Sequence, residues 1–237
     1  LFVKENFIFD TGVAKAEENM RIDSELLESL KKPLLHLYRW AAPSATYGYF
    51  IDPEEWVEPK IDLARRPTGG GIVFHIWDLA FSFLLPSDHP LCRPIAIDNY
   101  RFVNQIVLEA LKPFLKEEPS LIDHTVEQSG AADQFCMAKP TIYDVIYRGR
   151  KVAGAAQRRK RQGYLHQGTL SLAFPDFDLL SSVLKSKQEV MAAMAACTYA
   201  PLGPGWKEKE LQELKREVEQ RLISEFAKAL EISEPLK

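Results

Sequence analysis

Apolar residues along this chain recur at two periods. Ile97, Tyr100, Val103, Val107, Ala110 and Phe114 fall at three- and four-residue intervals, which predicts an amphipathic helix over residues 97–115, before Pro119. Residues 14–30 and 177–196 read as further helices. Leu211, Leu214, Val218, Leu222, Phe226 and Leu230 trace the apolar stripe of a final one, whose other face is dense in Glu, Lys and Arg and which is expected to pack back on the body. Between these lie stretches of period two. Trp77, Leu79, Phe81 and Phe83 alternate with Asp78, Ala80 and Ser82, as in a strand with one heavily buried side. Leu34–Tyr38 reads as a short strand, residues 143–147 and 151–157 as a hairpin turning at Arg148-Gly149, and residues 164–174 as another strand. The polar run Asp123, His124, Glu127, Gln128, Ser129 and Gly130, between Pro119 and Pro140, reads as a surface loop, and residues 200–205 as a linker.

With 46% hydrophobic residues, a chain of 237 residues can bury a substantial core, in one large domain or one domain with a small appendage. A net charge of -3 argues against general nucleic-acid binding. Three cysteines at wide, irregular intervals form neither a disulfide framework nor a zinc pattern, so no metal site is expected and a reducing cytoplasm is the expected compartment. No apolar run approaches the roughly 20 residues that cross a bilayer, and the first residues, with Lys4, Glu5 and Asp10, do not read as a signal peptide, so no membrane partner is expected.

Chemistry concentrates in Arg65-Arg66-Pro67-Thr68-Gly69-Gly70-Gly71-Ile72-Val73-Phe74-His75, where paired guanidiniums and three glycines run into an apolar segment. Glycine lets peptide N–H groups approach an anion or an acyl chain closely, and arginine adds fixed charge. A tight turn between strands would use the same residues. Further on come Gly149-Arg150-Lys151-Val152-Ala153-Gly154-Ala155-Ala156-Gln157-Arg158 and Leu165-His166-Gln167-Gly168-Thr169-Leu170. Together these blocks resemble the lipoate and biotin protein ligase superfamily, with its Arg-Arg-x-Ser/Thr-Gly-Gly-Gly loop, Gly-x-Lys-x-x-Gly-x-Ala-x-Arg hairpin and His-x-Gly strand. Glu18-Asn19-Met20, Asp23 and Tyr38-Arg39-Trp40 extend the resemblance, which covers roughly residues 7–200.

The resemblance implies an α/β (α+β) fold, a mixed, largely antiparallel sheet flanked by helices. It places the catalytic domain at residues 1–200, with the linker and C-terminal helix of residues 201–237 packed on it. It implies an acyltransferase that joins an octanoyl or lipoyl group to a lysine of a lipoyl-acceptor domain, a dehydrogenase E2 subunit or the glycine cleavage H protein. By the same carry-over Lys151 contacts the acyl oxygen, where a fixed cation lowers the barrier as negative charge develops. Read from sequence alone, Lys151 could be a solvated hairpin lysine, but the small Gly154, Ala155 and Ala156 leave room for a ligand. The resemblance puts Arg66, Gly69, Gly70 and Gly71 at the carboxyl end of an acyl tunnel, bordered by Trp40, His75, Gly154, Ala155, His166 and Gly168. His75 and His166 could equally be structural histidines. The basic run Arg158-Arg159-Lys160-Arg161 reads as a solvated hairpin tip, or as a segment that docks an acidic acceptor domain or closes over a nucleotide phosphate.

Two routes of acyl activation stay open. Cys136 stands where one octanoyltransferase group carries a nucleophile that accepts octanoyl from acyl carrier protein, and a neighbouring cation favours the reactive thiolate. Alternatively, a ligase consumes lipoate with ATP and Mg through lipoyl-AMP and needs no cysteine. No tightly bound cofactor is expected on either route. Only about one helix follows Gly205, where two-domain ligases carry a further domain, which favours transfer without adenylation or a ligase whose accessory domain is a separate chain, and Ile76-Trp77-Asp78 departs from the Asp-x-Gly-Asn of many ligases. Phe50-Ile51 departs from both groups, and the intact glycine triplet is ligase-like. The balance favours transfer through Cys136. Cys92 and Cys197 read as small buried hydrophobes. A non-catalytic acyl-binding module and a biotin ligase are the remaining alternatives; the first would not require Lys151, and the second usually carries an Arg-Gly-Arg loop that is missing here.

Overall fold

In the computed structural model, residues 7–127 and 129–231 are described; Lys4, Glu5 and Gln128 of the readings above lie outside them. The elements run β1 (Ile8–Ala14), α1 (Ala16–Glu28), β2 (Leu34–Trp40), β3 (Ser44–Tyr47), β4 (Asp62–Arg65), β5 (Val73–His75), β6 (Asp78–Pro86) and α2 (Ala96–Leu111). They continue through β7 (Ser120–Leu121), β8 (Val145–Tyr147), β9 (Arg150–Arg159), β10 (Gly163–Ser171), α3 (Phe177–Val183), α4 (Lys187–Cys197) and α5 (Glu208–Glu231). Among the described residues the main sheet has the order β1-β2-β6-β10-β9-β8-β7, antiparallel except between β1 and β2. A smaller sheet, β4-β3-β5, lies apart from it. This is the mixed, largely antiparallel sheet flanked by helices that the resemblance implied.

Strands β6 and β10 are buried along their whole length, so the alternation read as one buried face is a central strand covered on both sides. One face of β10 carries His166 and Gly168 toward Phe81, and Phe226 of α5 packs on Phe81 and Phe83. Helices α2 and α5 contact each other on this side, and Leu211, Val218, Leu222 and Phe226 join the main core. The opposite face carries Gln167 and Thr169 toward α1 and the small sheet, and the polar cavities described below lie there.

Several boundaries move, for identifiable reasons. Helix α2 stops at Leu111 and tightens into a 3-10 turn at Lys112–Phe114, because Pro113 cannot donate to the helix. The predicted helix over 177–196 is two helices, broken where Leu184 turns extended. The supposed surface loop before Pro140 contains 3-10 turns at Gly130–Gln134 and Cys136–Ala138, and it buries Ala131, Ala132, Phe135, Met137 and Ala138. Strand β1 escaped notice because it is a half-exposed edge strand, interrupted by Gly12 at φ 70° and a register shift between Asp10 and Val13. No helix among the described residues is long and apolar enough to cross a membrane.

Candidate active site

The glycine loop links β4 of the small sheet to β5, and its close approaches explain its composition. A Cβ on Gly71 would collide with the Gln134 carbonyl, and one on Gly48 with the backbone at Gly70. Gly70 has φ 84°, the left-handed region that glycine enters at least cost. These approaches bring the loop against the Cys136 turn: Ile72 N–H donates to the Gln134 carbonyl, Cys136 N–H donates to the Ile72 carbonyl, and Gly71 N–H donates to Cys136 Sγ at 3.1 Å.

Arg66 is buried behind this loop. Its Nη1 donates to the Thr46 carbonyl and Oγ1, both at 2.9 Å, and its Nη2 to the carbonyls of Gly69 at 3.0 Å and Gly71 at 2.6 Å. Burial pulls its pKa down, opposed by the neighbouring Cys136 sulfur. Cys136 and Arg66 therefore share one wall, where a thiolate or an acyl oxygen would meet a fixed guanidinium.

Lys151 stands on β9 beside the same space, and it is buried rather than solvated. Its Nζ lies 2.7 Å from Asp144 Oδ2 and donates to the Cys136 carbonyl at 2.9 Å. Asp144 also accepts from Tyr100 Oη at 2.5 Å and from Thr141 N–H and Oγ1. The Tyr100 hydroxyl in turn accepts from Ala155 N–H. Gly154 has no side chain because a Cβ there would strike the Lys151 stem and Asp144.

A narrow cavity joins these groups, lined by Arg66, His75, Cys136, Lys151, Gly154, Ala155 and Gly168 together with Met20, Tyr38, Thr46 and Gln167. A second chamber shares Val73 and Thr169 with it and continues along Ile72, Phe74, Phe135, Met137 and Met194. Gly69 and Gly70 lie at an open cleft with Ile97, Tyr100 and Gln157. Trp40 lines an outer groove beside α5, and its ring stacks on His75 at 4.1 Å, so His75 walls both spaces. His166 points to the other face of the sheet among Phe81, Tyr100 and Tyr164, and burial pushes its pKa down to about 3. The guanidinium and the ammonium that line the cavity can meet an anionic or acyl oxygen placed at the loop.

Other predicted features settle differently. Arg158 donates to the Pro67 carbonyl at 2.6 Å, Arg159 to the Arg93 carbonyl, and Lys160 pairs with Glu28, so much of the basic run is tied to neighbouring loops and helix α1. Cys92 and Cys197 are half-buried, away from the cavity. Sequence reading missed Asp144, Tyr100, Thr46 and Gln167. For Asp144 a signal existed, an acid inside the apolar run Tyr143-Asp144-Val145-Ile146-Tyr147.

The chain matches the Lipoyl protein ligase A/B catalytic domain family over residues 15–227. It belongs to that family. It is an enzyme of the octanoyltransferase and lipoate-ligase type, acting in protein lipoylation. Octanoyltransferase LipM of Staphylococcus epidermidis is 31% identical over 202 residues, 79% of this chain and 72% of that protein. In structure the chain resembles the bi-partite lipoate protein ligase of Thermoplasma acidophilum, described with its E2 lipoyl domain, at TM-score 0.65 and 24% identity, with 95% of this chain and 83% of that one covered. Lipoate-protein ligase A bound with ATP matches at TM-score 0.64 and 24% identity, over 95% and 84% of the two chains. These two likenesses concern the fold.

Proposed function

We propose that this family member is an octanoyltransferase that carries its acyl group on Cys136. The supporting observation is the position of Cys136 Sγ, held by Gly71 N–H at 3.1 Å in the cavity that Lys151 and Arg66 also line. A ligase working through an acyl-adenylate has no use for a sulfur there. The relative LipM points the same way by name.

In this reading, octanoyl-acyl carrier protein presents its thioester at the glycine loop, with the eight-carbon tail in the chamber of Ile72, Phe74, Phe135 and Met194. The Cys136 thiolate attacks the carbonyl carbon, the new C–S bond forms, and the carrier leaves as its thiolate. Negative charge on the acyl oxygen is met by the cations that line the cavity, Lys151 and Arg66. A lysine amine of a lipoyl-acceptor domain, an E2 subunit or the H protein, then attacks the enzyme thioester. The amide forms and Cys136 is released. No metal or nucleotide takes part. An ATP-dependent ligase is the rival reading, with Mg, lipoate and lipoyl-AMP.

The deciding experiment offers the protein octanoyl-carrier protein in one reaction and lipoate with ATP and Mg in another, each with an apo lipoyl domain, and follows acceptor mass. Acceptor modification from the carrier alone supports the proposal; modification only from lipoate and ATP overturns it in favour of the ligase. Failure of both, with octanoate or lipoate still bound, would leave a non-catalytic acyl-binding module and overturn it too.

A further inference from the structure

Strand β9 outruns one of its two neighbours. On one side β10 pairs with residues 153–159. On the other, pairing with β8 ends at Ala153, so residues 154–159 keep an edge that no strand among the described residues covers. Lys160 N–H donates to the Gly163 carbonyl at 2.8 Å, which makes these two a hydrogen-bonded pair of the β9-β10 hairpin. The alternation of an antiparallel ladder then turns the main-chain N–H and C=O of Ala155 and Gln157 away from β10, toward the uncovered side. At Ala155 the Tyr100 hydroxyl accepts the N–H at 3.0 Å. At Gln157 nothing among the described residues does so, and its side-chain Oε1 is a buried acceptor without a donor. Such an edge is ready to pair with an extended chain.

This edge walls the open cleft that also holds Gly69, Gly70, Ile97 and Ile142. Ala155 and Ala156 line both the cleft and the cavity of Cys136. A Cβ on Gly70 would lie 3.6 Å from Ala156 Cβ and 3.5 Å from Cys136 Sγ, so the way from the cleft to the sulfur passes over this glycine. Beyond Gln157 come Arg158 and Arg159, which turn to opposite faces of the strand. Arg158 donates to the Pro67 carbonyl on the side of the glycine loop, and Arg159 to the Arg93 and Pro94 carbonyls on the side of α2. Neither is paired with a carboxylate among the described residues, so two guanidiniums flank this end of the cleft with charge to offer.

We propose that the cleft binds the phosphopantetheine arm on which the carrier holds octanoyl; this rests on the acyl-transfer reading above. Counted from its thioester, that arm carries two amides, a dimethyl-substituted carbon and a phosphodiester. An amide of the arm pairs with the N–H and C=O of Gln157 as an added strand would. The dimethyl carbon meets Ile97 and Ile142, and the phosphodiester lies against Arg158 and Arg159. The thioester then arrives over Gly70, beside Cys136. Octanoyl-CoA presents the same arm, so the cleft reads the arm and not the protein that bears it.

Binding is measured first, without acyl chemistry. On addition of phosphopantetheine the Gln157 amide resonance should shift saturably, and pantetheine, which lacks the phosphate, should need about tenfold more, the scale of one charge-assisted hydrogen bond. Arg158→Gln combined with Arg159→Gln should abolish that difference. No shift, the same shift with inorganic phosphate alone, or a shift with AMP but not with phosphopantetheine would overturn the proposal. Loading is measured second, as octanoyl mass gained by Cys136 from octanoyl-carrier protein, from octanoyl-CoA and from the octanoyl thioester of mercaptoethanol, which has no arm. Gln157→Pro removes the edge N–H without breaking a bond to β10, and Ile97→Trp fills the cleft. Each should slow loading from carrier and CoA by about threefold to tenfold, the range of a lost hydrogen bond, and leave the armless thioester at its wild-type rate. Equal slowing with all three donors would mean a general structural effect, and slowing with the carrier alone would mean a contact to the carrier's own surface; either overturns the proposal. If no thioester loads the wild type, the cysteine reading falls by itself, and the Gln157 titration still decides the cleft.

Discussion

Lys151 and Asp144 form a buried ion pair, 2.7 Å apart with side chains 4% and 0% exposed. The cation beside the proposed acyl site is thus not a free surface charge aimed at substrate. It is held by a carboxylate that Tyr100 and Thr141 also grip, so its direction is set before any ligand arrives.

One consequence concerns the obvious mutation. An exposed hairpin lysine could be removed without structural cost, but Lys151→Ala leaves Asp144 buried without its cation, a change that typically costs about 3–5 kcal/mol. Lys151→Ala should therefore lose acyl transfer and also unfold at clearly lower denaturant concentration. Asp144→Asn is the more informative variant. It keeps shape and some hydrogen bonds while releasing Lys151, and acyl transfer should fall well below wild type with the substrate's KM less affected than kcat. Full activity in Asp144→Asn would show that the pair only supports the fold.

The glycine loop can be tested position by position. Gly70 adopts φ 84°, and a Cβ there would lie 3.4 Å from Arg66 Nη2 and 3.5 Å from Cys136 Sγ. Gly70→Val should cost about 1–2 kcal/mol in backbone strain and place a branched side chain against the sulfur. Octanoate and lipoate binding should be lost. Gly71→Ala acts differently, because its Cβ meets the Gln134 backbone and must push the Cys136 turn away. Calorimetric titration with octanoate should show weakened binding in both, and unchanged affinity in Gly70→Val would remove the loop from the site.

How much of this was readable beforehand depends on how each residue acts. Residues that act through backbone or local sequence were legible: the glycine triplet, the Lys151 hairpin and β6 as a strand, though not the burial of its second face. Residues that act through long-range register were not. Thr46 sits in a four-residue strand of a small sheet with no periodic signature, and it meets His75 because β3 pairs antiparallel with β5. Tyr100 looked like one more apolar position of α2, yet its hydroxyl reaches Asp144 and Ala155. His166 shares its strand with the lining residues Gln167 and Thr169, and the period of two turns its side chain to the other face.

That placement makes His166 a stability residue with a definite pH signature. Burial lowers its folded pKa to about 3, below the ordinary value of 6.5 it takes when unfolded. Between these values the unfolded chain binds the extra proton, so the stability contributed is present above pH 6.5 and is lost as pH falls toward 3. The slope approaches about 1.4 kcal/mol per pH unit in that window. His166→Phe should flatten denaturant-derived stability between pH 6 and 4 relative to the wild type. An unchanged slope would mean that the ring is not held neutral in the core.

The last prediction bears on Cys136, whose sulfur accepts from Gly71 N–H while its own carbonyl accepts from Lys151. Incubation with octanoyl-carrier protein should add one octanoyl mass to the enzyme, removed by hydroxylamine as expected for a thioester. Cys136→Ser should abolish turnover or trap a stable ester, because a hydroxyl is a far weaker nucleophile and leaving group at neutral pH without a paired base. Cys92→Ser and Cys197→Ser, at half-buried positions outside the cavity, should leave both mass gain and transfer unchanged. Full transfer by Cys136→Ser with lipoate and ATP would instead mean that Lys151, Arg66 and the glycine loop hold an acyl-adenylate.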